Sequence, residues 1–217
     1  MARCPLLLDL FCAQGGAGMG YHRAGFAVVG VDRDPQPRYP FAFVRGDALE
    51  YLAYHGHEYD AIHASPPCQH FSTITRTAKT QDDHPNLIPQ VRETLYWTGK
   101  PWIIENVVGA PLVNPVLLCG AMFPELRVYR HRLFEASFPL VVPEHPKHIH
   151  KTTKCGRGAG DNGWMSIAGH VSNVRAANAA MGCGWMSQKG IAQAIPPAYT
   201  EYLGRQLLAA IEQERAA

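Results

Sequence analysis

Residues 6–18, LLLDLFCAQGGAG, decide the fold of this chain. The apolar run Leu6–Phe11 predicts a buried strand, and the glycine-rich turn after it opens a helix predicted over Gly16–Ala24. A strand that is apolar throughout and leads directly into a helix is typical of a parallel sheet with both faces covered. Small residues in the turn let the backbone approach a ligand, and the amino end of the helix favours negative groups.

The same alternation of strand and helix continues along the N-terminal half. Further strands are predicted at Ala27–Val31, Phe43–Val44, Ala61–Ala64 and Trp102–Ile104, with helical spacing over Leu87–Trp97. After Asn114 the pattern favours two strands around a basic turn, an irregular segment and two helices, at Pro115–Phe123, Leu133–Val142, 143–163, Ala176–Met181 and Pro197–Glu214. The pattern therefore predicts an α/β fold: a mixed, mostly parallel sheet with helices on both faces and a small irregular insert.

Composition sets the outer limits of function. The chain has 217 residues, 47% hydrophobic content and a formal net charge of +2, so it can bury a core, and its overall charge favours no polyanionic partner. The first apolar run is too short to span a membrane and reaches an aspartate too soon for a signal peptide. The six cysteines form no CxxC pair, so we expect reduced thiols and a cytoplasmic protein of a bacterium or a phage-infected cell.

Three acids lie near or just after the carboxyl ends of predicted strands. Asp9 lies beside the glycine turn, Asp32 ends the second strand and Asp47 follows the third. Ligands of parallel sheets bind at the carboxyl ends of the strands, where Asp32 can accept from ribose hydroxyls and Asp47 from an adenine amine. Singly, each acid is more often a helix cap or a turn residue. Together they predict an adenosine site.

A cysteine and a second acid complete the predicted site. Cys68 follows a strand in the segment SPPCQ, and Glu105 ends a later strand before Asn106. A thiolate held by a rigid prolyl turn can act as a nucleophile, and a partly desolvated carboxyl can keep a proton for a ring nitrogen. The alternatives are an inert buried thiol and a solvated acid. We expect Asn106 to orient loops through bonds to the backbone.

Six motifs in order resemble the DNA cytosine-5 methyltransferases, most closely the compact members carried by bacteriophages and prophages. They are DLFCAQGG, VGVDRD, RGDAL, SPPCQHFS, ENVVGA and RHRLFE, over Leu6 to Glu135, and PPAYTEYLG near the C-terminus resembles the last motif of the family. The resemblance implies a Rossmann-like class I methyltransferase fold, with S-adenosyl-L-methionine as cofactor and S-adenosyl-L-homocysteine as product.

The resemblance also implies catalytic roles. Cys68 would attack carbon 6 of a flipped-out cytosine, and Glu105 would contact N3 and the exocyclic amine. Arg132 would hold the O2 carbonyl, and Arg130 would support the loop. Carbon 5 would then take the methyl group, because thiolate addition makes that carbon nucleophilic. A base within a duplex hides its ring faces, so it must first be extruded.

The implied cofactor residues lie at the strand ends. They are Asp9, Phe11, Gly15, Gly16, Asp32, Arg33, Asp47 and Pro67. The sequence departs from the family pattern at four positions, since Ala13 and Ser65 stand where glycine is usual, Val128 replaces a glutamine and Gln193 stands near the position of an asparagine. These departures affect the expected cofactor-edge and loop contacts.

The target-reading part is small. We divide the chain into a core at 1–135, a reduced recognition region at 136–190 and a C-terminal helix region at 191–217. The predicted DNA-binding residues are Gln69, Ser72, Lys147, Lys151, Lys154 and Arg157. So short a region reaches few base edges, which predicts a target of roughly two to four base pairs or weak selectivity. The spacing of His145, His148, His150 and Cys155 fits no standard zinc pattern, so no metal is expected.

The sequence leaves several alternatives open. We expect double-stranded DNA as the substrate of a monomer that needs no membrane and no obligate protein partner. The same chemistry on RNA and an inactive DNA-binding homologue are the rival hypotheses. A modified cofactor that delivers a larger group to the same carbon is a third. The recognition sequence and the biological purpose are not encoded in any motif.

Overall fold

The computed structural model describes residues 3–72, 77, 79–154 and 163–216. Within these residues seven strands form one sheet, in the order β3-β2-β1-β4-β5-β7-β6. They are β1 (Leu6–Leu10), β2 (Ala27–Asp32), β3 (Ala42–Arg45), β4 (Ala61–Ala64), β5 (Trp102–Asn106), β6 (Val116–Leu118) and β7 (Arg132–Ala136). A separate two-residue pair joins β8 (Thr153–Lys154) to β9 (Met165–Ser166).

The first five strands are parallel, and β7 runs antiparallel to β5 and to β6. The central strand β4 is buried at every residue and β5 likewise, as expected for strands covered on both faces. The carboxyl ends of β1, β2, β4 and β5 therefore meet at one edge of the sheet. The predicted mixed, mostly parallel sheet is confirmed.

Six helices of the described chain surround the sheet: α1 (Gly16–Ala24), α2 (Ala48–His55), α3 (Ile88–Thr98), α4 (Val174–Met181), α5 (Gln188–Gln193) and α6 (Pro197–Ala216). Helix α6 packs directly on α1. Gly20 makes this approach possible, because a Cβ there would collide with the Pro197 carbonyl and the Thr200 hydroxyl. The Thr200 hydroxyl in turn donates to the Ala17 carbonyl at 2.8 Å. The predicted C-terminal helix is thus fixed against the glycine-turn helix.

The second half of the sheet is shorter than the sequence predicts. The strand predicted to reach Phe123 ends at Leu118, because the chain turns at Gly120, where a Cβ would collide with the Val128 carbonyl. The strand predicted to reach Val142 ends at Ala136. Prolines at positions 139 and 143 cannot donate to a ladder, which explains why it stops. These two extensions were wrong.

Helix α2 was not predicted at all. Asp47 begins it, since its Oδ1 accepts from the backbone N–H groups of Leu49 and Glu50 at 2.9 and 3.0 Å. Asp47 is therefore a helix cap through Oδ1, the commoner role of a single acid at such a position, and it also lines the cavity at the strand ends.

The core crosses the boundaries of the predicted regions. Met165, Ile167 and Val171 of the insert belong to the same buried cluster as Leu7 of β1 and Leu203 of α6. The insert is therefore packed onto the sheet, and the division at 135 and 190 stays a prediction. Among the described residues, no helix has the length and apolar character needed to cross a bilayer.

Candidate active site

The glycine turn after β1 is held in an unusual backbone conformation. Phe11 and Ala13 have φ angles of 57° and 44°, in the left-handed region that side chains other than glycine rarely adopt. The Asp32 carboxylate stabilises this turn, because its Oδ2 accepts from the Ala13 N–H at 2.9 Å. Its Oδ1 accepts from the Asp34 N–H at 2.9 Å. The departure from glycine at position 13 is thus accommodated by a side-chain anchor.

Two glycines of the turn face protein neighbours. Gly15 has a φ of 79°, and a Cβ there would lie 2.8 Å from the Pro40 Cδ. Gly16 faces the Ile195 carbonyl, with which a Cβ would collide. Gly16 also lines the cavity at the strand ends, whereas Gly15 does not. Both glycines bring other chain segments close to the turn.

A cavity of about 520 Å³ lies at the carboxyl edge of the sheet. Its walls include all the predicted cofactor residues except Gly15, namely Asp9, Phe11, Gly16, Asp32, Arg33, Asp47 and Pro67. The volume is within the range typical of small-molecule sites. Phe11 is half-buried, while Arg33 and Asp47 are exposed at the rim.

Asp9 carries a proton in this environment. The carboxyl is buried, and burial raises its pKa to about 8 despite a hydrogen bond from the Tyr39 hydroxyl to Oδ2 at 3.0 Å. Oδ1 has no hydrogen-bond partner in the described part of the chain.

The cysteine, the acid and the arginine predicted to act together do converge. Arg132 Nε lies 2.9 Å from Glu105 Oε1, and both side chains are largely buried. Cys68 is half-buried, and burial together with the Glu105 charge raises the pKa of its thiol, while Arg132 and Arg130 oppose that shift. Burial also raises the pKa of Glu105, against the opposing effect of Arg132. The site therefore combines a thiol that needs activation with a carboxyl that retains a proton more readily than usual.

Asn106 fixes the prolyl turn that carries the thiol. The residue is fully buried, its Nδ2 donates to the Pro66 carbonyl at 3.0 Å and its Oδ1 accepts from the Val107 N–H at 2.9 Å. The end of β5 is thus bonded to the turn after β4. The predicted role of Asn106 in orienting loops is confirmed.

Sequence reasoning missed a buried histidine behind Glu105. His63 lies on β4, where burial lowers its pKa to about 3, so the ring is neutral. Its Nδ1 is 3.0 Å from the Tyr21 hydroxyl and its Nε2 is 2.9 Å from the Ser65 hydroxyl. Ser65 also hydrogen-bonds Glu105. With Tyr21 donating to Nδ1, the Nε2–H donates to Ser65, whose hydroxyl is then directed at the Glu105 carboxylate.

This chain of hydrogen bonds explains Ser65, which stands where the family usually has glycine. The Ser65 hydroxyl accepts from the Nε2–H of His63 in this arrangement, which leaves its own proton for Glu105. The signal in the sequence is a polar residue inside an otherwise apolar strand, AIHA, which is uncommon unless the side chain is paired.

Arg130 holds the insert to the C-terminal segment. Its guanidinium donates to the carbonyls of Ala194, Ile167 and Ala192 at 2.6, 2.6 and 2.8 Å. Burial lowers its pKa to about 9. Tyr199 adds bonds from its hydroxyl to the carbonyls of Tyr129 and Arg130. Arg130 thus occupies the supporting position that the sequence assigned to it.

A second cavity, of about 790 Å³, lies between this edge and the insert. The two cavities share Cys68, Gln69, Arg132 and Gln193. Gln69 and Ser72, predicted to contact DNA, line the larger cavity. Lys189 lines it as well and was missed, because it lies in a short helix far along the sequence.

The other predicted DNA contacts lie apart from the cavities. Lys147, Lys151 and Lys154 are exposed on the insert and do not line the larger cavity. Arg157 and Cys155 lie outside the described residues.

The chain is similar to known methyltransferases in part of its sequence and in its fold. No family model matches the chain. Over 120 residues, 47% of the chain, it is 30% identical to the type II methyltransferase M.AgeI of Thalassovita gelatinovora. Over 121 residues it is 31% identical to the type II methyltransferase M.XorII of Xanthomonas oryzae pv. oryzae. The matched segment spans 28% of the length of each relative.

Solved structures share the fold over almost the whole chain. A prophage-encoded protein of E. coli, described as a DNA modification methyltransferase, aligns with a TM-score of 0.65 at 15% identity, covering 96% of this chain and 99% of that one. The S. pombe Dnmt2 methyltransferase aligns with a TM-score of 0.61 at 13% identity, covering 96% and 99%. The Entamoeba histolytica methyltransferase EhMeth gives 0.61 at 10%, covering 97% and 99%.

These matches support the predicted resemblance to a DNA cytosine-5 methyltransferase-like family. The Rossmann-like class I methyltransferase fold is confirmed. The homology supports S-adenosyl-L-methionine as the cofactor.

The residues of the smaller cavity fit that cofactor. Its wall offers an aromatic ring at Phe11 and carboxylates at Asp32 and Asp47. Such groups suit a ligand that combines an adenine ring, ribose hydroxyls and positive charge. Because the smaller cavity also borders Cys68, a ligand there would adjoin the thiol.

Proposed function

We propose that this chain transfers a methyl group from S-adenosyl-L-methionine to carbon 5 of cytosine in double-stranded DNA. The observation that carries the proposal is the position of Cys68 and Arg132, which border both cavities while Arg132 pairs with Glu105. One cavity suits the cofactor and the other is open to a polymer. A nucleophile at their junction can reach a base from one side while the methyl donor lies on the other.

The smaller cavity would hold the cofactor. Phe11, Asp32 and Asp47 would bind its adenosine part, Arg33 and Pro67 would border the ring, and Asp9 and Gly16 would shape the wall near the glycine turn. When bound, S-adenosyl-L-methionine supplies an electrophilic methyl group.

The reaction begins with the thiol. Cys68 would give its proton to water, and the thiolate Sγ would add to carbon 6 of the extruded cytosine. The electrons of the 5,6 double bond would form a carbon 4–carbon 5 double bond while N3 takes a proton from Glu105, and Arg132 would hold O2. Carbon 5 would then accept the methyl group that bound S-adenosyl-L-methionine supplies, leaving S-adenosyl-L-homocysteine. Water would remove the carbon 5 proton, and the 5,6 double bond would re-form as the Sγ–carbon 6 bond breaks and N3 returns its proton to Glu105.

The electrostatics of the site suit this sequence. The raised pKa of Cys68 keeps the free thiol protonated and unreactive, and Arg130 and Arg132 are the cations that favour the thiolate. The raised pKa of Glu105 lets the carboxyl hold a proton at a higher pH than a solvated glutamate does. The hydroxyl of Ser65, directed by His63, orients that carboxyl.

The nucleic-acid part of the proposal rests on the larger cavity and the insert. The opening beside Cys68 has the volume for a single base turned out of its helix, at a cost of roughly a few kcal/mol. Lys147 and Lys151 are exposed cations that would contact phosphates. A recognition region this small would read a short target, and we propose that the chain acts as a monomer.

Covalent trapping tests the proposal. Duplex DNA with 5-fluorocytosine in every cytosine context is incubated with the protein and S-adenosyl-L-methionine, then resolved under denaturing conditions. Since fluorine cannot leave carbon 5 as a proton does, the complex stays covalent. We expect a denaturant-resistant complex with wild-type protein and with Cys4→Ser, an exposed cysteine control, and none with Cys68→Ser.

Three outcomes would contradict the proposal or one of its parts. A complex that survives in Cys68→Ser would remove the thiol from the mechanism. Trapping on RNA of the same sequence but not on DNA would change the substrate. Specific DNA binding with no complex and no methyl transfer would mark an inactive homologue. Mass spectrometry of the product nucleoside distinguishes a methyl from a larger group, and bisulfite sequencing of DNA from expressing cells gives the target site.

A further inference from the structure

Four potential metal ligands lie together where the insert meets the sheet. They are Cys119, His131, His145 and His148, and one ligand atom from each lies within 4.8 Å of the other three. Cys119 is fully buried, His131 is half-buried and the two remaining histidines are exposed. The sequence predicted no metal here because it considered only the histidines of the insert together with Cys155, and Cys119 and His131 come from elsewhere in the chain.

Two of the six distances between ligand atoms are close to those of a tetrahedral zinc site, and all six are below 4.8 Å. With Zn–N distances of 2.0–2.1 Å and a Zn–S distance of 2.3 Å, neighbouring ligand atoms in a tetrahedron lie roughly 3.3–3.6 Å apart. His131 Nε2 and His145 Nε2 are 3.1 Å apart. Cys119 Sγ and His148 Nε2 are 3.3 Å apart. Both pairs therefore need only a few tenths of an ångström to admit the ion.

Regular elements position two of these ligands. Cys119 directly follows β6 and His131 directly precedes β7, and the two strands pair through Leu118 and Arg132. The Gly120 N–H also donates to the Tyr129 carbonyl at 2.7 Å. The backbone positions of Cys119 and His131 are thus fixed by the paired strands.

Aromatic contacts position the ligands of the insert. The His148 ring stacks on Tyr129, with centroids 3.6 Å apart and planes at 10°. The Tyr129 hydroxyl accepts from the His150 N–H at 2.8 Å, and the His150 ring stacks on Trp164 with centroids 4.5 Å apart. His150, which the sequence grouped with the possible ligands, therefore supports the cluster from outside it. Side chains that orient ligands in this way are the usual surroundings of a metal site.

We propose that Cys119, His131, His145 and His148 bind one Zn²⁺ ion in a closed tetrahedral site. One thiolate and three imidazoles are ligands that zinc prefers. Four protein ligands leave no open position for water or substrate, so the ion is structural. It would join the otherwise irregular segment 137–152 to the strand that carries Arg132, and would thereby fix the insert beside the catalytic edge.

Metal analysis of the purified protein tests the site directly. The chain is produced with a removable affinity tag, since a histidine tag itself binds zinc, and its zinc content is measured by plasma mass spectrometry. We expect one zinc per chain. Replacement by Co²⁺ should give the intense visible bands of tetrahedral cobalt together with a near-ultraviolet thiolate-to-cobalt band, which reports the bond to Cys119. Neither measurement needs DNA or methyl transfer, so the result is independent of the proposed function.

Variants identify the ligands. His145→Gln and His148→Gln alter exposed side chains and should weaken zinc binding by at least about 100-fold. Cys119→Ser should remove the thiolate-to-cobalt band. His57→Gln and Cys4→Ser are matched controls at exposed positions away from the cluster and should keep the full metal content. Cys155→Ser tests the cysteine that follows these histidines in the sequence, and this variant should also keep the full metal content.

Several results would overturn the proposal. Wild-type protein without stoichiometric zinc, both as purified and after addition of zinc, would mean that the cluster is held by hydrogen bonds and ring stacking alone. Full metal content in His145→Gln and His148→Gln would place the ion elsewhere. Loss of the thiolate band in Cys155→Ser, with retention in Cys119→Ser, would show that Cys155 and not Cys119 is the cysteine ligand. If Cys119→Ser does not fold, the wild-type cobalt spectrum and the two histidine variants decide the question.

Discussion

The carboxyl edge of the sheet, which carries Cys68, Glu105 and Arg132, has two sides that are built differently. On one side, β1 to β5 are parallel, and buried apolar residues such as Leu8, Ile62 and Ile104 pack them against helices. On the other side, the segment 137–152 contains no strand and is held by side chains such as Tyr129, which stacks on His148, and Gln206, which hydrogen-bonds Val141. The side chains of the proposed reaction thus lie on the sheet. The insert, which we propose contacts DNA, depends on a few polar and aromatic side chains.

This contrast predicts where a single substitution is tolerated. Changes at the strand ends should alter the reaction while the fold survives, because burial along the strands stabilises the sheet independently. Changes at the anchors of the insert should alter stability first. Four predictions follow this division from the largest effect to the smallest.

The largest effect is expected at the catalytic acid. Glu105→Gln removes the proton that we assign to N3, so the rate of methyl transfer should fall about 10²–10⁴-fold. The amide can still hydrogen-bond Arg132, so the melting temperature and cofactor affinity should change little. Single-turnover kinetics and calorimetric titration measure these quantities, and the exposed Glu58→Gln is the control. A rate within about threefold of wild type would remove Glu105 from the mechanism.

Arg130 tests the anchoring of the insert. Arg130→Met loses three charged hydrogen bonds and leaves three carbonyls without their donor. The free energy of unfolding should therefore fall by about 3–5 kcal/mol, as measured by urea denaturation. Arg205→Met removes an exposed ion pair with Glu201 and should cost less than about 0.5 kcal/mol. If the two variants lose equal stability, Arg130 is not an anchor.

Asp9 tests the buried side of the cofactor cavity through pH. The pKa of its carboxyl is about 8 in the folded chain and 3.8 in the unfolded chain, so the folded state holds the extra proton. The stabilisation is complete below pH 3.8 and is lost as pH rises toward 8. Between pH 6.5 and 8, stability should fall by up to about 1.4 kcal/mol per pH unit.

The window above pH 6.5 isolates this effect. His63 has a pKa of about 3 in the folded chain and 6.5 in the unfolded chain, so its opposite contribution to stability ends at pH 6.5. Urea denaturation across this window should show the slope in wild type and in the exposed control Asp34→Asn. The slope should be absent in Asp9→Asn, and its persistence in that variant would show that another group titrates.

The smallest effect is expected at the exposed lysines of the insert. Lys147→Ala and Lys151→Ala should each make the plot of log affinity for duplex DNA against log salt shallower by about 0.9, because each lysine would neutralise one phosphate. Lys100, which precedes β5 at the opposite edge of the sheet, is the control. Fluorescence anisotropy over a salt series gives the slopes. Equal slopes for all four proteins would mean that the insert does not contact the backbone.

Sequence reasoning predicted the strands of the parallel half closely, although it missed helix α2. Helix α1 and strand β4 have the predicted bounds. Local signals sufficed there, because apolar runs and glycine turns encode elements that also pack in chain order. The antiparallel half was less accurate, since the ends of β6 and β7 depend on a close backbone approach at Gly120 and on prolines rather than on periodicity.

The candidate site was predicted in part. Cys68, Glu105 and Arg132 converge as the motifs indicated, and seven of the eight cofactor residues border one cavity. The roles of Asp9 as a buried neutral acid, His63 as the donor behind Ser65, and Lys189 at the larger cavity were outside the reach of the sequence. Each depends on burial or on neighbours distant along the chain.

The sequence by itself determined the parallel strands and the polar residues at their carboxyl ends, since the order of apolar runs and polar terminal residues needs only local chemistry. Only the tertiary structure decided which side chains from separate runs share a site. Cys119 and His148 are 29 residues apart and lie 3.3 Å from each other. No periodicity in one dimension encodes that distance, because it arises from the pairing of β6 with β7 and the return of the insert over their ends.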